Sequence, residues 1–351
     1  MMEPVRMGFV GAGYMGQLAH IANYAAADGA RMLALAEPRR ELARLVAERH
    51  GIERVYRDHR ELAADPEVEA VAAILRMEHV TPVVRDLLEA GKHVITEKPM
   101  GVRADECAEL AALAAERGLI YQVGYMKRHD TGVLLAQGLL DELLTTQRLG
   151  ELQFARVWCF AGGWIYGIED PIRTDEPVPP DTSPARPVPE WIPAELHGLY
   201  NRTLNVDSHV TNLLRFLIGE YELEVAAWRA GKPLVLQGWA QCGASCVFEL
   251  GQVSAPRWHE GVELYFARGI LRIEPPPPLR RQAPTRVVLH EMGDEPRTLE
   301  PEAAPGWAFA AQAEHFLASV RGEEAPVSPA ADAARDVALA ERAVRLVMGG
   351  G

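Results

Sequence analysis

The sequence has few cysteines and no long apolar run. Its four cysteines, Cys107, Cys159, Cys242 and Cys246, are too few and too scattered for a disulfide scaffold, and no neighbouring Cys/His pair completes a zinc pattern. We therefore expect reduced thiols, a cytoplasmic protein and no bound metal. No stretch approaches the ~18 consecutive apolar residues of a membrane helix, and the N-terminus shows no signal-peptide h-region. Membrane insertion and secretion are not expected.

Positive charge is also scarce, since 36 Lys and Arg face 49 Asp and Glu for a net charge of −13. Phosphate contacts supply most of the affinity for nucleic acid, so a nucleic-acid partner is not expected. The acidic balance serves solubility or, alternatively, favours a cationic substrate. At 351 residues, 48% of them hydrophobic and 24% charged, the chain has the length and composition of two globular domains.

The first third of the chain alternates short apolar runs with helical patterns. The strand patterns cover 5–10, 31–36, 70–75, 93–96 and 120–124. A first helix is predicted after the first strand and through about residue 27, and further helices at 38–50, 82–90 and 104–117. This alternation with short loops is typical of a parallel sheet covered on both faces. The right-handed crossover rule then favours a doubly wound, Rossmann-type domain.

Strand patterns dominate after residue 125. One helix is predicted at 132–144, and the strands at 152–160, 221–229, 234–241, 244–252, 262–273 and 285–290 precede two closing helices at 308–320 and 330–347. Apolar residues that alternate with polar ones indicate a sheet with one covered face. The predicted class is therefore α/β, with a Rossmann domain over 1–124 and an α+β domain with a large, mostly antiparallel open sheet over 125–351.

A glycine-rich turn directly follows the first strand and opens the first helix. It reads Gly11-Ala12-Gly13-Tyr14-Met15-Gly16, and Glu37 ends the second strand 21 residues after the last glycine. The glycines allow a tight turn and close approach of the backbone to a pyrophosphate on the helix N-terminus. A carboxylate at Glu37 can accept both ribose hydroxyls and repels a 2′-phosphate, which favours NAD. Arg39 and Arg40 leave NADP open as the alternative.

The run Glu97-Lys98-Pro99 ends a strand, and with this turn it resembles the glucose–fructose oxidoreductase/inositol dehydrogenase (Gfo/Idh/MocA) family. The likeness runs through most of the first 125 residues, including Gly91–Val94 and Val123–Tyr125, and more loosely to Gly219. It implies an N-terminal NAD(P)-binding domain and a second-domain sheet that carries substrate and oligomer contacts. A homodimer or homotetramer is then the expected assembly.

The resemblance also implies that Lys98 lies by the nicotinamide and the reacting hydroxyl, in contact with both cofactor and substrate, and that Pro99 follows a cis peptide. A chemical argument independently favours Lys98 as a proton-transfer residue. The chain has only four lysines against 32 arginines, and a buried lysine can pass a proton whereas arginine cannot. Lys98 is therefore a predicted catalytic residue, and Glu97 and Pro99 complete the predicted cofactor contacts.

A single helix is predicted over 204–218, where six apolar residues form one stripe. They are Val206, Val210, Leu213, Leu214, Leu217 and Ile218. Asn205, His209 and Asn212 share another face. This pattern resembles the family's D-x-x-x-H helix, which gives His209 the role of the proton-transfer residue. Asn205 stands where the aspartate is expected and is predicted to be either catalytic or substrate-binding. Asp207 lies about 200° around the helix from His209.

Two other segments depart from the family pattern. Leu75 to His79 replaces a Thr-Pro-Asn turn, so Leu75 and His79 are predicted as cofactor contacts, although His79 is alternatively a plain loop residue. After Tyr125, a predicted substrate contact, Lys127 and Arg128 stand where the family often has Asn-Arg-Arg. Both side chains either reach substrate or are solvated.

A proline-rich loop precedes the His209 helix. From residue 164 to 197 it contains seven acidic and two basic residues, together with Trp164 and Tyr166. Aromatic faces stack on sugar C–H surfaces, and carboxylates bind hydroxyl or ammonium groups. Trp164 and Tyr166 are therefore predicted to bind a sugar-like substrate, with an amino sugar or aminoglycoside as the sharper hypothesis. A solvated loop or a subunit contact is the alternative.

The predicted function is an NAD-dependent dehydrogenase that oxidises a secondary hydroxyl of a sugar, amino sugar or cyclitol ring. Lys98 and His209 would transfer the proton and the nicotinamide would take the hydride. The alternatives are an NAD-dependent glycosidase of the same fold and a nicotinamide-binding regulatory protein.

Overall fold

The computed structural model describes residues 3–165, 171–177, 186–253, 258–293 and 295–349, and the chain divides into two compact units. The first unit consists of 1–125, 169–193 and 309–338, and the second of 126–168, 194–308 and 339–351. The predicted domains, 1–124 and 125–351, are continuous segments, whereas each of these units is assembled from three pieces of chain.

Six parallel strands form the sheet of the first unit, in the order β3-β2-β1-β4-β5-β6. They are β1 (Val5–Val10), β2 (Ala30–Ala36), β3 (Arg54–Tyr56), β4 (Ala70–Ala73), β5 (His93–Glu97) and β6 (Tyr121–Gly124). The doubly wound parallel sheet is confirmed. Its strand order reverses between β1 and β4, and ligands of such sheets bind beyond the carboxyl ends of the strands at this point.

The helices between these strands begin with α1, which has a π-helical part (Gly16–Ile21) and an α-helical part (Ala22–Ala26). The others are α2 (Arg40–His50), α3 (His59–Ala63), α4 (Met77–Glu89) and α5 (Ala104–Glu116). The predicted start of α4 at residue 82 is wrong, because Pro82 lies inside the helix. Proline has no N–H to give to the carbonyl of Glu78, and that carbonyl accepts the N–H of Arg186 at 2.7 Å instead.

Eight strands form the sheet of the second unit, in the order β14-β13-β12-β11-β7-β10-β9-β8. They are β7 (Leu152–Ala161), β8 (Tyr221–Ala227), β9 (Leu234–Ala240), β10 (Ser245–Gln252), β11 (His259–Phe266), β12 (Gly269–Glu274), β13 (Arg286–Glu291) and β14 (Arg297–Leu299). All neighbours are antiparallel except β7 and β10. The mostly antiparallel sheet is thus confirmed, but the single strand predicted over 262–273 is wrong. Two residues, Ala267 and Arg268, turn the chain there and pair β11 with β12.

Two helices pack against strands of this second sheet, α6 (Thr131–Thr146) and α8 (Ser208–Ile218). A shorter helix, α7 (His197–Arg202), precedes α8, with a π-helical turn (Thr203–Asp207) between them and short 3₁₀ turns at Met126–His129 and Ala194–Leu196. Helix α8 lies against β7 and β11. Along β7, Ala155, Val157 and Cys159 are buried on that side, whereas Arg156 points to the opposite face.

Two helices close the chain, α9 (Ala308–Val320) and α10 (Ala330–Gly349). Phe316 and Leu317 of α9 belong to the same core cluster as Phe9 of β1 and Tyr24 of α1. The ring of Tyr24 meets those of Phe9 and Phe316 edge to face, with centroids 5.7 and 6.4 Å apart. Residues 309–338 therefore complete the core of the first unit, far along the chain from its strands.

Candidate active site

The glycine turn after β1 is shaped by two close backbone approaches. A Cβ on Gly11, whose φ is +91°, would lie 2.5 Å from the carbonyl oxygen of Ile74, and a Cβ on Gly16 would lie 2.6 Å from that of Gly11. A Cβ on Gly13 would meet nothing within 4 Å, so its backbone borders open space. Tyr14, which lies half-buried beside it, continues into α1. A tight turn with exposed backbone before a helix fits the pyrophosphate of a dinucleotide.

Glu37 lies just after β2 and is buried beside this turn. It accepts the N–H of Ala12 at 2.9 Å, and it holds Arg39 through the backbone N–H at 3.1 Å and the guanidinium at 2.7 and 3.0 Å. The hydrogen bond to Glu37 raises the pKa of Arg39. Arg40 is exposed and opens α2. The carboxylate that suits NAD and the guanidinium that suits NADP therefore form one bidentate pair.

The residues after β4 border the same turn. A terminal methyl carbon of Leu75 would lie 3.6 Å from a Cβ on Gly11. His79 is half-buried in the first turn of α4 rather than in a loop. Since β4 pairs with β1, Leu75 lies at the same sheet edge as the glycine turn.

Glu97, Lys98 and Pro99 follow β5 at this edge. The peptide between Lys98 and Pro99 is cis, as the resemblance implied. Glu97 is fixed through both oxygens, because its Oε1 lies 2.9 Å from Nε2 of His20 and its Oε2 accepts the backbone N–H of Lys98 at 3.2 Å. The Lys98 side chain is half-buried. The sequence did not predict His20, whose signal is a histidine on the buried side of α1, four residues after Gly16.

Lys127 and Arg128 are buried, so the solvated alternative is wrong for both. Arg128 donates from Nε to Oδ1 of Asn212 at 2.9 Å, and its guanidinium lies 5.1 Å from the ring centre of Phe216. Arg128 thus fixes the turn at Met126–His129 against α8. Lys127 makes an ion pair with Glu260 at 2.9 Å. Tyr125, predicted to touch substrate, is buried in the first unit.

A π-helical turn interrupts the predicted 204–218 helix just before His209. The wider turn changes which side chains face inward: Val206 is half-buried, whereas Asp207 is fully buried. The apolar stripe is therefore wrong at Val206. Asn205 is exposed and His209 is half-buried, and the His209 ring meets that of Trp258 edge to face at 6.1 Å.

Asp207 is a buried carboxyl two residues before His209. It pairs with Arg202, whose Nη2 donates to Oδ1 at 2.9 Å. Burial raises the pKa of Asp207 to about 6 although the guanidinium opposes the shift. An acid on the inward side of a predicted helix was the available signal for this site.

The proline-rich loop is described in part. Tyr166 lies outside the described residues, and so do the acids at positions 169, 170 and 181. Trp164 is half-buried in the second unit. Glu176 accepts the N–H groups of Glu41 and Leu42 at 3.1 and 3.0 Å, and backbone hydrogen bonds lower its pKa. This acid therefore caps α2 within the first unit.

Within the described part of the chain, no group of three His, Cys, Asp or Glu side chains is arranged to hold a metal. No helix there combines the length and apolar character needed to span a membrane.

Comparison with known proteins first identifies the N-terminal segment. Residues 5–125 match the family model named GFO_IDH_MocA and described as an oxidoreductase family with an NAD-binding Rossmann fold. An inositol 2-dehydrogenase/D-chiro-inositol 3-dehydrogenase of Shouchella clausii (strain KSM-K16) is 38% identical over 145 residues, which are 40% of this chain and 41% of that protein. The trans-1,2-dihydrobenzene-1,2-diol dehydrogenase of Bos taurus is 35% identical over 137 residues, 36% of this chain and 41% of that protein. Both alignments thus span about two fifths of the relatives' own length.

The similarity in fold to solved structures extends over the whole chain. A solved structure of levoglucosan dehydrogenase in complex with NADH and L-sorbose has a TM-score of 0.75 at 20% identity, covering 99% of this chain and 98% of that one. At this identity the likeness establishes the fold of both units and nothing finer.

Proposed function

We propose that this protein is an NAD-dependent dehydrogenase. The premise is that residues 5–125 belong to the Gfo/Idh/MocA oxidoreductase family, with its NAD-binding Rossmann fold. The protein oxidises a secondary hydroxyl of a sugar, amino sugar or cyclitol ring to a ketone. The observation that carries the proposal is the position of Lys98, directly after β5, at the sheet edge that also holds the glycine turn and Glu37. The relatives that act on inositols and on a ring diol support a polyhydroxylated ring as substrate.

Two side chains supply the proton chemistry in this proposal. The nicotinamide, when bound, supplies the carbon that accepts hydride. Lys98 Nζ holds the substrate oxygen, and the His209 imidazole takes the hydroxyl proton near neutral pH. Edge contact with Trp258 orients the His209 ring, and Asn205, on the exposed side of the π-helical turn, binds a neighbouring hydroxyl.

NAD is the proposed cofactor because Glu37 is buried at the end of β2, where the ribose of the adenosine would lie. The 2′-phosphate of NADP would lie close to this negatively charged carboxylate, and the repulsion between the two charges disfavours NADP. The exposed Arg40 and the half-buried Arg39 are the two groups that would favour NADP in its place.

The test is formation of reduced nicotinamide by the purified protein. NAD⁺ or NADP⁺ is supplied with myo-inositol, scyllo-inositol, levoglucosan, D-glucose, D-glucosamine, an aminoglycoside and a nucleotide sugar. Turnover that is lost in Lys98→Ala and in His209→Ala supports the proposal, and Glu222→Gln on the exposed side of β8 is the matched control. Cofactor binding without turnover on any ring would contradict it and would favour the glycosidase or the regulatory protein.

We also propose a homodimer or homotetramer that works in the cytoplasm. The exposed side of the second sheet carries large apolar residues, Val225 and Trp239, on neighbouring strands. None of the four cysteines is part of a disulfide, and burial raises the pKa of Cys159 and of Cys246, as suits reduced and unreactive thiols. Light scattering on a sizing column tests the assembly, and Trp239→Glu should yield a smaller species.

A further inference from the structure

The N-terminus of α2 is capped by a carboxylate from a distant part of the chain. Arg39, the residue before α2, makes no side-chain hydrogen bond to the helix. The backbone N–H groups of Glu41 and Leu42 donate instead to Glu176, at 3.1 and 3.0 Å, although Glu176 lies 135 positions after Glu41. Free N–H groups and the helix dipole attract anions to such a terminus. Glu176 therefore occupies a position that would suit a phosphate.

The segment that carries Glu176 is also anchored at other points in the first unit. The Gln17 side chain, in the π-helical part of α1, donates to the carbonyl of Ile172 at 3.1 Å and accepts the N–H of Ile172 at 2.8 Å. The Ile172 side chain packs against the core of this unit. Thr174 donates its hydroxyl to Glu176 at 3.3 Å. These contacts hold residues 172–176 at the sheet edge where α1 and α2 begin.

The start of α2 is also where a 2′-phosphate would bind. In Rossmann domains the carboxylate at the end of the second strand meets the adenosine ribose, and a nearby arginine accommodates the 2′-phosphate of NADP. Glu37 and Arg39 hold these positions here. The hydrogen bond to Glu37, together with the charges of Glu37 and Glu176, raises the pKa of Arg39. Two carboxylates of the chain therefore already balance the guanidinium that a 2′-phosphate would use.

We propose that Glu176 determines cofactor specificity, because its carboxylate occupies the anion position at the start of α2 and repels the 2′-phosphate of NADP. Glu37 meets the ribose hydroxyls of NAD, whereas Glu176 acts only against the additional phosphate. Like charges at short range are costly, so the chain's own carboxylate excludes the larger cofactor. This inference rests on the proposed binding of a nicotinamide dinucleotide. It assigns the choice between NAD and NADP to a residue outside the family-matched segment 5–125.

The experiment compares ligands that differ only in the 2′-phosphate. NAD⁺ is paired with NADP⁺, and AMP with adenosine 2′,5′-bisphosphate, in titration calorimetry of wild type and Glu176→Gln. Glutamine keeps an oxygen that can accept the N–H groups of α2, but it removes the charge. The Kd of both 2′-phosphorylated ligands should fall about tenfold or more, whereas the Kd of NAD⁺ and of AMP should change less than about twofold.

Two further variants separate charge repulsion from helix capping. Glu176→Ala removes the cap and the charge together, so it should lower the melting temperature and still shift the preference towards NADP⁺. Asp175→Asn removes a charge from an exposed neighbour in the same segment and should leave both Kd ratios unchanged. An equal change for both members of a ligand pair in Glu176→Gln would mean that Glu176 only caps α2. No change would mean that the 2′-phosphate binds elsewhere, and either result overturns the inference.

The two proposals can fail separately. A wild-type protein that prefers NADP⁺, with a further gain in Glu176→Gln, supports the role of Glu176 and overturns the proposed NAD preference. A wild-type protein that prefers NAD⁺, with no effect of Glu176→Gln, overturns the role of Glu176 and leaves the NAD-dependent dehydrogenase standing. Failure of the wild-type protein to bind either dinucleotide overturns both.

Discussion

Removal of Arg39 should sharpen the cofactor preference. Glu37 accepts four N–H groups, those of Ala12 and Arg39 along the backbone and two from the Arg39 guanidinium. A carboxylate has about four acceptor positions, so the ribose hydroxyls of NAD must displace this guanidinium. The Arg39 side chain is 24% exposed, which places its pair with Glu37 near the surface value of up to about 1 kcal/mol. Arg39→Ala should therefore tighten NAD⁺ binding by up to about fivefold.

The same substitution should weaken NADP⁺ binding. A charge-assisted hydrogen bond to the 2′-phosphate is lost, worth about 1.5–3 kcal/mol, and the Glu37 carboxylate is left without its counter-charge. The NADP⁺ dissociation constant should therefore rise by about 10- to 100-fold. Titration calorimetry of wild type, Arg39→Ala and the control Arg44→Ala, whose side chain is 57% exposed on α2, measures both constants. An unchanged ratio of the two constants in Arg39→Ala would refute the assigned competition at Glu37.

Three other perturbations have defined outcomes. Gly13→Ala should keep the melting temperature but weaken NAD⁺ binding about tenfold or more, because the new Cβ enters the open space beside the turn. Gly16→Ala should also destabilise the fold by about 1–3 kcal/mol, because its Cβ would lie 2.6 Å from the carbonyl oxygen of Gly11, and thermal melting with titration distinguishes the two variants. Phe316→Ala should cost about 3–5 kcal/mol in urea unfolding of the first unit, and a loss below about 1 kcal/mol would mean that α9 is not part of that core. For Asp207 the folded pKa of about 6 exceeds the ordinary 3.8, so its contribution is fully present only well below pH 3.8 and is lost as pH rises through 6. The stability of wild type relative to Asp207→Asn should fall by about 2 kcal/mol between pH 4 and 7, and a flat difference would contradict the assigned pKa.

The sequence predicted the first unit well where a local pattern determines the structure. The parallel strands follow apolar runs of four to seven residues, and the glycine turn has its own spacing. Strand β3 and helix α3 were missed because three and five residues are too short to show a period. The sequence pattern starts α4 too late, because proline is common at the first position of a helix. Pro82 instead lies inside α4, and the carbonyl of Glu78, which proline cannot satisfy, accepts the N–H of the distant Arg186.

Other errors came from contacts between residues far apart in the chain. The apolar alternation continues through the β11–β12 hairpin, so nothing local marks the turn at Ala267 and Arg268. The π-helical turn before His209 brings Asp207 rather than Val206 inward, where Asp207 pairs with Arg202. The pairing of Lys127 with Glu260 joins positions more than a hundred residues apart, which no single-sequence pattern reports.

The burial of lysines gives this protein an unusual surface for amine chemistry. Lys92 is buried and donates to the carbonyls of Asp65 and Val68, and Lys127 is enclosed by its ion pair. Lys98 is half-buried, which leaves Lys232 as the one lysine of the four that is exposed. An amine-reactive resin therefore meets one fully exposed lysine side chain, Lys232, on a surface otherwise cationic through arginine. Covalent immobilisation through Lys232 would hold the protein by the turn between β8 and β9.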